Sequence, residues 1–318
     1  MKHWLVIIIC LLSVTTFAQK KNFYRKEFSV IIENDAFLLK LKDGYYTNGA
    51  FLQFSKAEEK NNHKIIHRFE LGQTMYTTRD RRAVLRGLET IDRPYAGYFY
   101  GKYSRDKFYT PHQLFSYSIS LGATGKWSMA EQLQEWYHRV IGLYFYPYWE
   151  TQIPNAIGAD ATIKYVGTMA PDGAAKSLFK IVPTAQATVG NFFINAKVGA
   201  YFCFGAFEKN ESSVLLNARV SKTQPSTKRK YELIFYFYPQ LVAQAYNVTI
   251  QGNIFSKPTD SRVFTSLPEA IVYQQIFGAA YAKERWTTRF EIAYQSKEAT
   301  SQRNAQRYGS LQLCYRFN

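Results

Sequence analysis

A chain of 318 residues is long enough for one large or two average domains, but 25 Tyr and 24 Phe raise the aromatic share to 17%, far above that of an ordinary soluble enzyme. Forty Lys and Arg against 24 Asp and Glu give a net charge of +16, which points to an anionic partner: nucleic acid, a phosphorylated lipid or an anionic membrane surface. A generic dinucleotide-binding or TIM-type enzyme is disfavoured on composition alone.

Met1, Lys2 and His3 precede the apolar run Trp4 to Val14, and Thr15, Thr16, Phe17 and Ala18 close the segment. This is the pattern of a secretory signal peptide cleaved after Ala18, which divides the chain into a signal, 1–18, and a mature domain, 19–318. The apolar run is too short for a bilayer-spanning helix, which needs about 20 residues, and no cysteine marks the cleavage point for a lipid anchor. Export disfavours nucleic acid as the partner. Cys10 leaves with the signal; Cys203 and Cys314 fall in strand-like stretches where a small apolar side chain is the simpler reading and one optional disulfide the other.

Beyond residue 18 no stretch approaches 18 consecutive apolar residues, and alternation takes over. Strands are expected at 27–33, 49–55, 64–72, 95–103, 113–121, 162–168, 178–189, 192–204, 231–240, 271–281, 286–294 and 308–317, about twelve in all. Phe115-Ser116-Tyr117-Ser118-Ile119-Ser120-Leu121 is representative, with aromatic or β-branched side chains at every second position. A soluble sandwich alternates too. Export, the Tyr and Phe load expected of interfacial girdles, and a final strand closing on Cys314-Tyr315-Arg316-Phe317-Asn318 favour an all-β fold, a transmembrane antiparallel β-barrel of the outer-membrane kind.

One segment breaks the period. Between Lys126 and Gly142, Met129, Leu133, Trp136, Tyr137 and Val140 recur at helical spacing, Ser128 with Glu131 reads as a capping box, and Gly142 as the stop. This predicts a short amphipathic helix in an extracellular loop. His138 lies opposite the apolar stripe, with Glu131 and Gln134.

If the N-terminus is periplasmic, the connections 34–47, 76–94 and 122–157 lie on the outer rim, and all three carry unusual chemistry. The same parity puts the long polar connection 205–230 on the periplasmic side, where turns are usually short. His138 is the candidate general base, since a neutral imidazole can take a proton from water; a solvated helix histidine is the other reading. Asp35 beside Asn34 suits a hard cation such as Ca²⁺, or an Asx turn. Thr47-Asn48-Gly49 reads as polar site residues or plain turn chemistry. Arg79, Arg81, Arg82 and Arg86 could grip phosphate or simply be solvated. His63, His67 and His112 lack zinc-ligand spacing, and there is no P-loop or G-x-S-x-G elbow.

In chain order, Glu33-Asn34-Asp35, Asp43-Gly44-Tyr45-Tyr46-Thr47-Asn48-Gly49, Asp92-Arg93-Pro94-Tyr95-Ala96-Gly97, Gly122-Ala123-Thr124-Gly125, Glu131-Gln132-Leu133-Gln134, His138-Arg139-Val140-Ile141-Gly142, Pro147-Tyr148-Trp149 and Gln152 together resemble the outer-membrane lipid A 3′-O-deacylase family. The resemblance spans the mature chain and is strongest over 28–155. It implies a twelve-stranded barrel in the cell outer membrane, with an active site at the rim between the barrel wall and the loop helix. It also implies hydrolysis of the 3′-linked acyl ester of lipid A, with His138 activating water and Ca²⁺ near Asp35 polarising the carbonyl. Asn34 and Thr47 match polar residues of that site, Tyr146 matches a nearby tyrosine, and Arg81 or Arg82 would contact the glucosamine phosphates. The expected partners are lipid A or lipopolysaccharide and the outer membrane, with no nucleic acid, and the chain is expected as a monomer. Where the family can carry an acidic residue this chain has Tyr144, so a second carboxylate for the metal is missing or comes from Glu131 or Glu150. Two other classes compete: a non-catalytic barrel serving as a channel or lipopolysaccharide-binding protein, and an outer-membrane phospholipase acting through a serine.

Overall fold

The computed structural model describes residues 23–38, 44–79, 91–142, 149–169, 178–223, 229–256 and 258–318. The signal segment, Arg81, Arg82, Tyr144 and Tyr146 lie outside them. Twelve antiparallel strands run in sequence order around a closed barrel: β1 (Lys26–Asn34), β2 (Tyr45–Lys60), β3 (His63–Thr77), β4 (Ala96–Thr110), β5 (Gln113–Thr124), β6 (Ala156–Val166), β7 (Phe179–Gly190), β8 (Phe193–Ala206), β9 (Tyr231–Asn247), β10 (Ile271–Lys283), β11 (Trp286–Gln295) and β12 (Gln306–Phe317). β12 closes on β1, with Lys26 opposite Phe317 and Asn34 opposite Gly309, so no sheet edge is left unpaired. Every predicted strand is present, most of them longer than expected.

Alternation acquires direction in the barrel. On β5, Ile119 and Leu121 point outward, Leu121 being 65% exposed, while Ser116 points into the lumen at 8%. This is a soluble protein turned inside out, large apolar side chains outward and small polar ones inward, as a bilayer requires. The aromatics split between the two faces. Phe69, Phe99, Phe115, Phe235 and Phe277 face outward, but Tyr46, Tyr100, Tyr201, Tyr236, Tyr238 and Tyr308 line the interior, so interfacial girdles account for only part of the Tyr load. Tyr201 and Tyr238 stack with centroids 3.6 Å apart. Cys203 and Cys314 are both free and buried, as small apolar residues.

The connection between β8 and β9 stays at the end that carries the N-terminal start of β1, as strand parity requires, and its length has a structural purpose. Its stretch 207–223 folds back into the barrel as a plug. Val214, Leu215, Ala218 and Val220 join wall residues Ala57, Ile66, Phe108, Leu114, Val166, Val182 and Ile234 in the main buried apolar cluster. The plug's polar backbone is satisfied by long side chains from the wall. Lys64 Nζ donates to the carbonyl of Ala218 (2.6 Å), Arg68 to those of Leu216 and Asn217 (2.8 and 3.0 Å), Lys180 to that of Glu208 (2.9 Å) and Arg289 to that of Leu215 (3.2 Å). Glu232 accepts from Ser213 Oγ (2.6 Å), the Val214 amide (2.9 Å) and Arg219 (3.1 Å). Bonds to charged donors contribute roughly 1.5–3 kcal/mol each, against the cost of burying bare carbonyls.

Candidate functional site at the outer rim

The opposite rim gathers the three connections singled out by sequence. The helix α1 (Ala130–Ile141) follows a single 3-10 turn, Gly125–Ser128. Gly142 ends it at φ +73°, as expected of a left-handed helix stop. The start differs from expectation. Met129, in the left-handed region at φ 56°, is the N-cap and offers no side-chain bond. The preceding 3-10 turn uses Ser128, whose hydroxyl donates to the carbonyl of Gly125 (2.6 Å), so the Ser128/Glu131 capping box does not form.

The helix presents its polar face to the barrel. Ala130, Gln134 and His138 are buried, His138 to 6%, while Met129, Trp136, Tyr137 and Val140 are exposed, Trp136 to 58%. Two close contacts set this orientation. A Cβ on Gly97 of β4 would stand 2.4 Å from that of Ala130, so only glycine lets the helix approach there. Met75, Tyr95, Ala130 and fully buried Trp149 form a small apolar cluster, with Leu133 packed against it. The indole N–H of Trp149 donates to Gln134 Oε1 (2.8 Å), and Gln73 Nε2 from the wall donates to the Ser128 carbonyl (2.5 Å). The solvated-histidine reading of His138 therefore fails: it sits one turn beyond Gln134 on the buried face.

Asn34 and Asp35 lie where β1 ends and a 3-10 turn, Asp35–Leu38, begins; both are buried. The Asx turn expected at this tip is made by Asn34, whose Oδ1 accepts from the Ala36 amide (2.7 Å), whereas Asp35 Oδ2 accepts from the Gly44 amide across the loop (2.9 Å). Asn34 pairs with Asn48, and Thr47 beside it is a bulge in β2 rather than a turn: Tyr46 pairs with Tyr76 and Asn48 with Met75, leaving Thr47 without a register partner. Its buried hydroxyl is bonded to that of Thr77 (2.8 Å). The β2–β3 pair thus joins the two halves of the site, since Met75, which packs on α1, lies two residues from Thr77.

The supporting residues were partly missed in the sequence. Asp92 accepts from Tyr45 Oη and Thr78 Oγ1 (2.6 Å each), clamping the first and second connections together two residues before Thr47. Arg93 is fully buried: it pairs with Glu298 (2.8 Å), donates to the carbonyl of Thr249 (2.7 Å) and stacks over Tyr76 (4.3 Å). Asp92 and Arg93 stood in a quoted motif, but Glu298 and Thr249 carry no local signal, being more than 150 residues away.

Glu150, one expected source of a second carboxylate, lies exposed against Arg262 (3.5 Å), whose hydrogen bonds also hold the Asp260 carboxyl down at about 2. Among the described residues no three His, Cys, Asp or Glu side chains gather into a metal site. A hard cation accepts carbonyl, amide and water oxygens beside carboxylates, and of the two carboxylates buried among the described residues of the three connections Asp92 is committed to the clamp, so Asp35 is the one whose chemistry suits calcium.

A family model described as Outer membrane protein LpxR matches residues 5–317. LpxR from Salmonella typhimurium superposes with a TM-score of 0.75 at 20% identity, covering 92% of this chain and 100% of that one. The β domain of the Bordetella autotransporter BrkA superposes with a TM-score of 0.50 at 7% identity, covering 92% of this chain and 99% of that one. Both are likenesses of fold. No curated protein sequence matches the chain.

Proposed function

The chain belongs to the LpxR family of outer-membrane proteins, and on that premise we propose that it is a lipid A 3′-O-deacylase, hydrolysing the 3′-linked acyl ester in the outer leaflet. The observation that carries this reading is the burial of the polar face of α1, with His138 and Gln134 turned to the barrel rim. Met129, Trp136 and Val140 face outward, like the apolar side chains of the strands, and leave the polar stripe to meet the rim.

In this reading His138 takes a proton from water as the oxygen attacks the ester carbonyl. The tetrahedral intermediate then collapses, breaking the bond to the glucosamine 3-oxygen, and the imidazolium returns its proton to that leaving oxygen. Gln134, fixed by Trp149, sets the position of the helix and hence of the ring. Asn34 and Thr47 supply polar groups beside the reacting ester, and the clamp through Asp92 holds them in place. Calcium held by Asp35 would polarise the carbonyl and stabilise the oxyanion. Tyr146, Arg81 and Arg82 are proposed to contact the substrate, the arginines at its phosphates.

The competing channel reading requires a path through the barrel, and the plug at 207–223 stands in it. The test is mass spectrometry of lipid A from cells expressing the protein, with calcium supplied or chelated. Loss of the 3′-linked acyl group, dependent on calcium and abolished in His138→Ala, is expected; unchanged lipid A, or a His138→Ala protein as active as the parent, overturns the proposal.

A further inference from the structure

Inside the wall, between rim and plug, lie two cavities of about 380 and 310 Å³ that share Lys102, Thr162 and Gln186 and so form one column. The upper reaches the outer strand ends at Asn247 and Gln306; the lower rests on Leu215, Leu216 and Asn217 of the plug. Lumen lysines are unremarkable when neighbouring carboxylates neutralise them, so the pairing decides. Glu70 is taken by Lys102 (2.6 Å), Asp106 by Arg68 (2.7 Å) and Glu298 by Arg93 (2.8 Å). Asp160, also on the upper cavity, accepts from the backbone amides of Phe192 and Phe193 (3.1 Å each). Lys164 and Lys197 line the column with no ion pair among the described residues.

Their placement is specific. Lys164 of β6 pairs with Gln186 of β7, and Gln186 pairs with Lys197 of β8, so the two lysines flank one glutamine on a single row. At roughly 4.8 Å per strand their Cα atoms stand about 10 Å apart, within the joint reach of two lysine stems around one anion. Two residues above Lys197 on the same inward face, Asn195 has a buried Oδ1 with no hydrogen-bond partner, an acceptor in want of a donor. Tyr98 and Tyr100, stacked at 4.9 Å, and Thr188 complete the surroundings on the upper cavity.

We propose that this column is a binding site for a phosphorylated sugar, its phosphate held between Lys164 and Lys197 and a sugar hydroxyl donating to Asn195 Oδ1. Two ammonium groups with no ion-paired carboxylate call for a multivalent anion; an orphaned amide oxygen beside them calls for a donor, which a hydroxyl of a sugar carrying the phosphate supplies. Cavities of this size suit a ligand of one or two sugar rings. The site lies below the rim and stands or falls independently of ester hydrolysis there.

The test is titration calorimetry on the detergent-purified full chain, with glucosamine 1-phosphate, inorganic phosphate and glucosamine as separate probes. Saturable binding of glucosamine 1-phosphate is expected, tighter than that of either other probe, weakened at least tenfold in Lys164→Gln/Lys197→Gln and retained in Lys164→Arg/Lys197→Arg. Asn195→Ala is expected to weaken the sugar phosphate several-fold and leave inorganic phosphate unchanged. Heat-modifiable migration on gels verifies that each variant is folded. Absence of saturable binding, equal binding by the folded double Gln variant, or inorganic phosphate binding as tightly as the sugar phosphate each overturns the proposal.

Discussion

At the end that holds the start of β1 the plug turns Val214, Leu215, Ala218 and Val220 to the wall and hands its carbonyls to Lys64, Arg68, Lys180 and Arg289, whereas at the opposite rim α1 turns Gln134 and His138 to the wall and leaves Trp136 and Val140 exposed. Both ends bury polar groups. At the plug those groups are mostly backbone, and long wall cations meet them one by one, which is what sealing a mouth demands. At the rim they are side chains able to exchange protons or meet an ester, held by a clamp of neighbouring bonds. Burial of polarity thus serves a seal at one end and, in the proposed function, chemistry at the other, and the difference lies in whether backbone or side chain is buried.

That contrast can be broken experimentally, beginning at the rim. His138→Ala is expected to lower the deacylation rate by about 10² to 10⁴-fold, the usual contribution of a general base, with the barrel still folded by heat-modifiable migration; a loss under threefold defeats the assignment. Arg93→Met leaves Glu298 buried without its cation and should cost about 3–5 kcal/mol in urea-driven unfolding from lipid vesicles, so an unchanged midpoint shows that the pair is not needed to hold the rim. Gly97→Val forces α1 away from β4 and should reduce turnover by about 10²-fold while leaving the unfolding midpoint nearly in place, because misplacement alone carries that penalty. At the other end, Lys180→Met strips the Glu208 carbonyl of its donor and should cost about 1–3 kcal/mol of stability with turnover unchanged. If Lys180→Met instead slows turnover, the two ends are coupled and the division drawn between them is wrong.

Much of this was legible in the chain. The period-two runs located all twelve strands, although their ends were set short: β9 continues through Gln244 and Asn247 because barrel strands extend past the apolar stretch that reveals them. The helix was visible from Met129, Leu133, Trp136, Tyr137 and Val140, and its stop from Gly142. Its capping box was not real, because the 3-10 turn at 125–128 already uses Ser128. Asn34, Asp35 and Thr47 were marked by their position at strand ends and by family resemblance. Glu298 and Thr249, which hold Arg93, were invisible, since nothing local distinguishes a buttress from an ordinary polar residue until the chain returns to it.

The sequence by itself determined the number and order of the strands, the place of the helix and the surplus of cations, all consequences of local spacing and composition. The tertiary structure decided which face of each element is inside. Period two divides a strand into two faces without saying which one meets lipid, and a helical stripe can be buried or exposed with the same spacing. Only closure of the sheet chose the lumen, put many of the tyrosines into it and aligned Lys164, Gln186 and Lys197 in one row. It also drew 207–223, most of a long polar connection in the sequence, into the barrel as its plug.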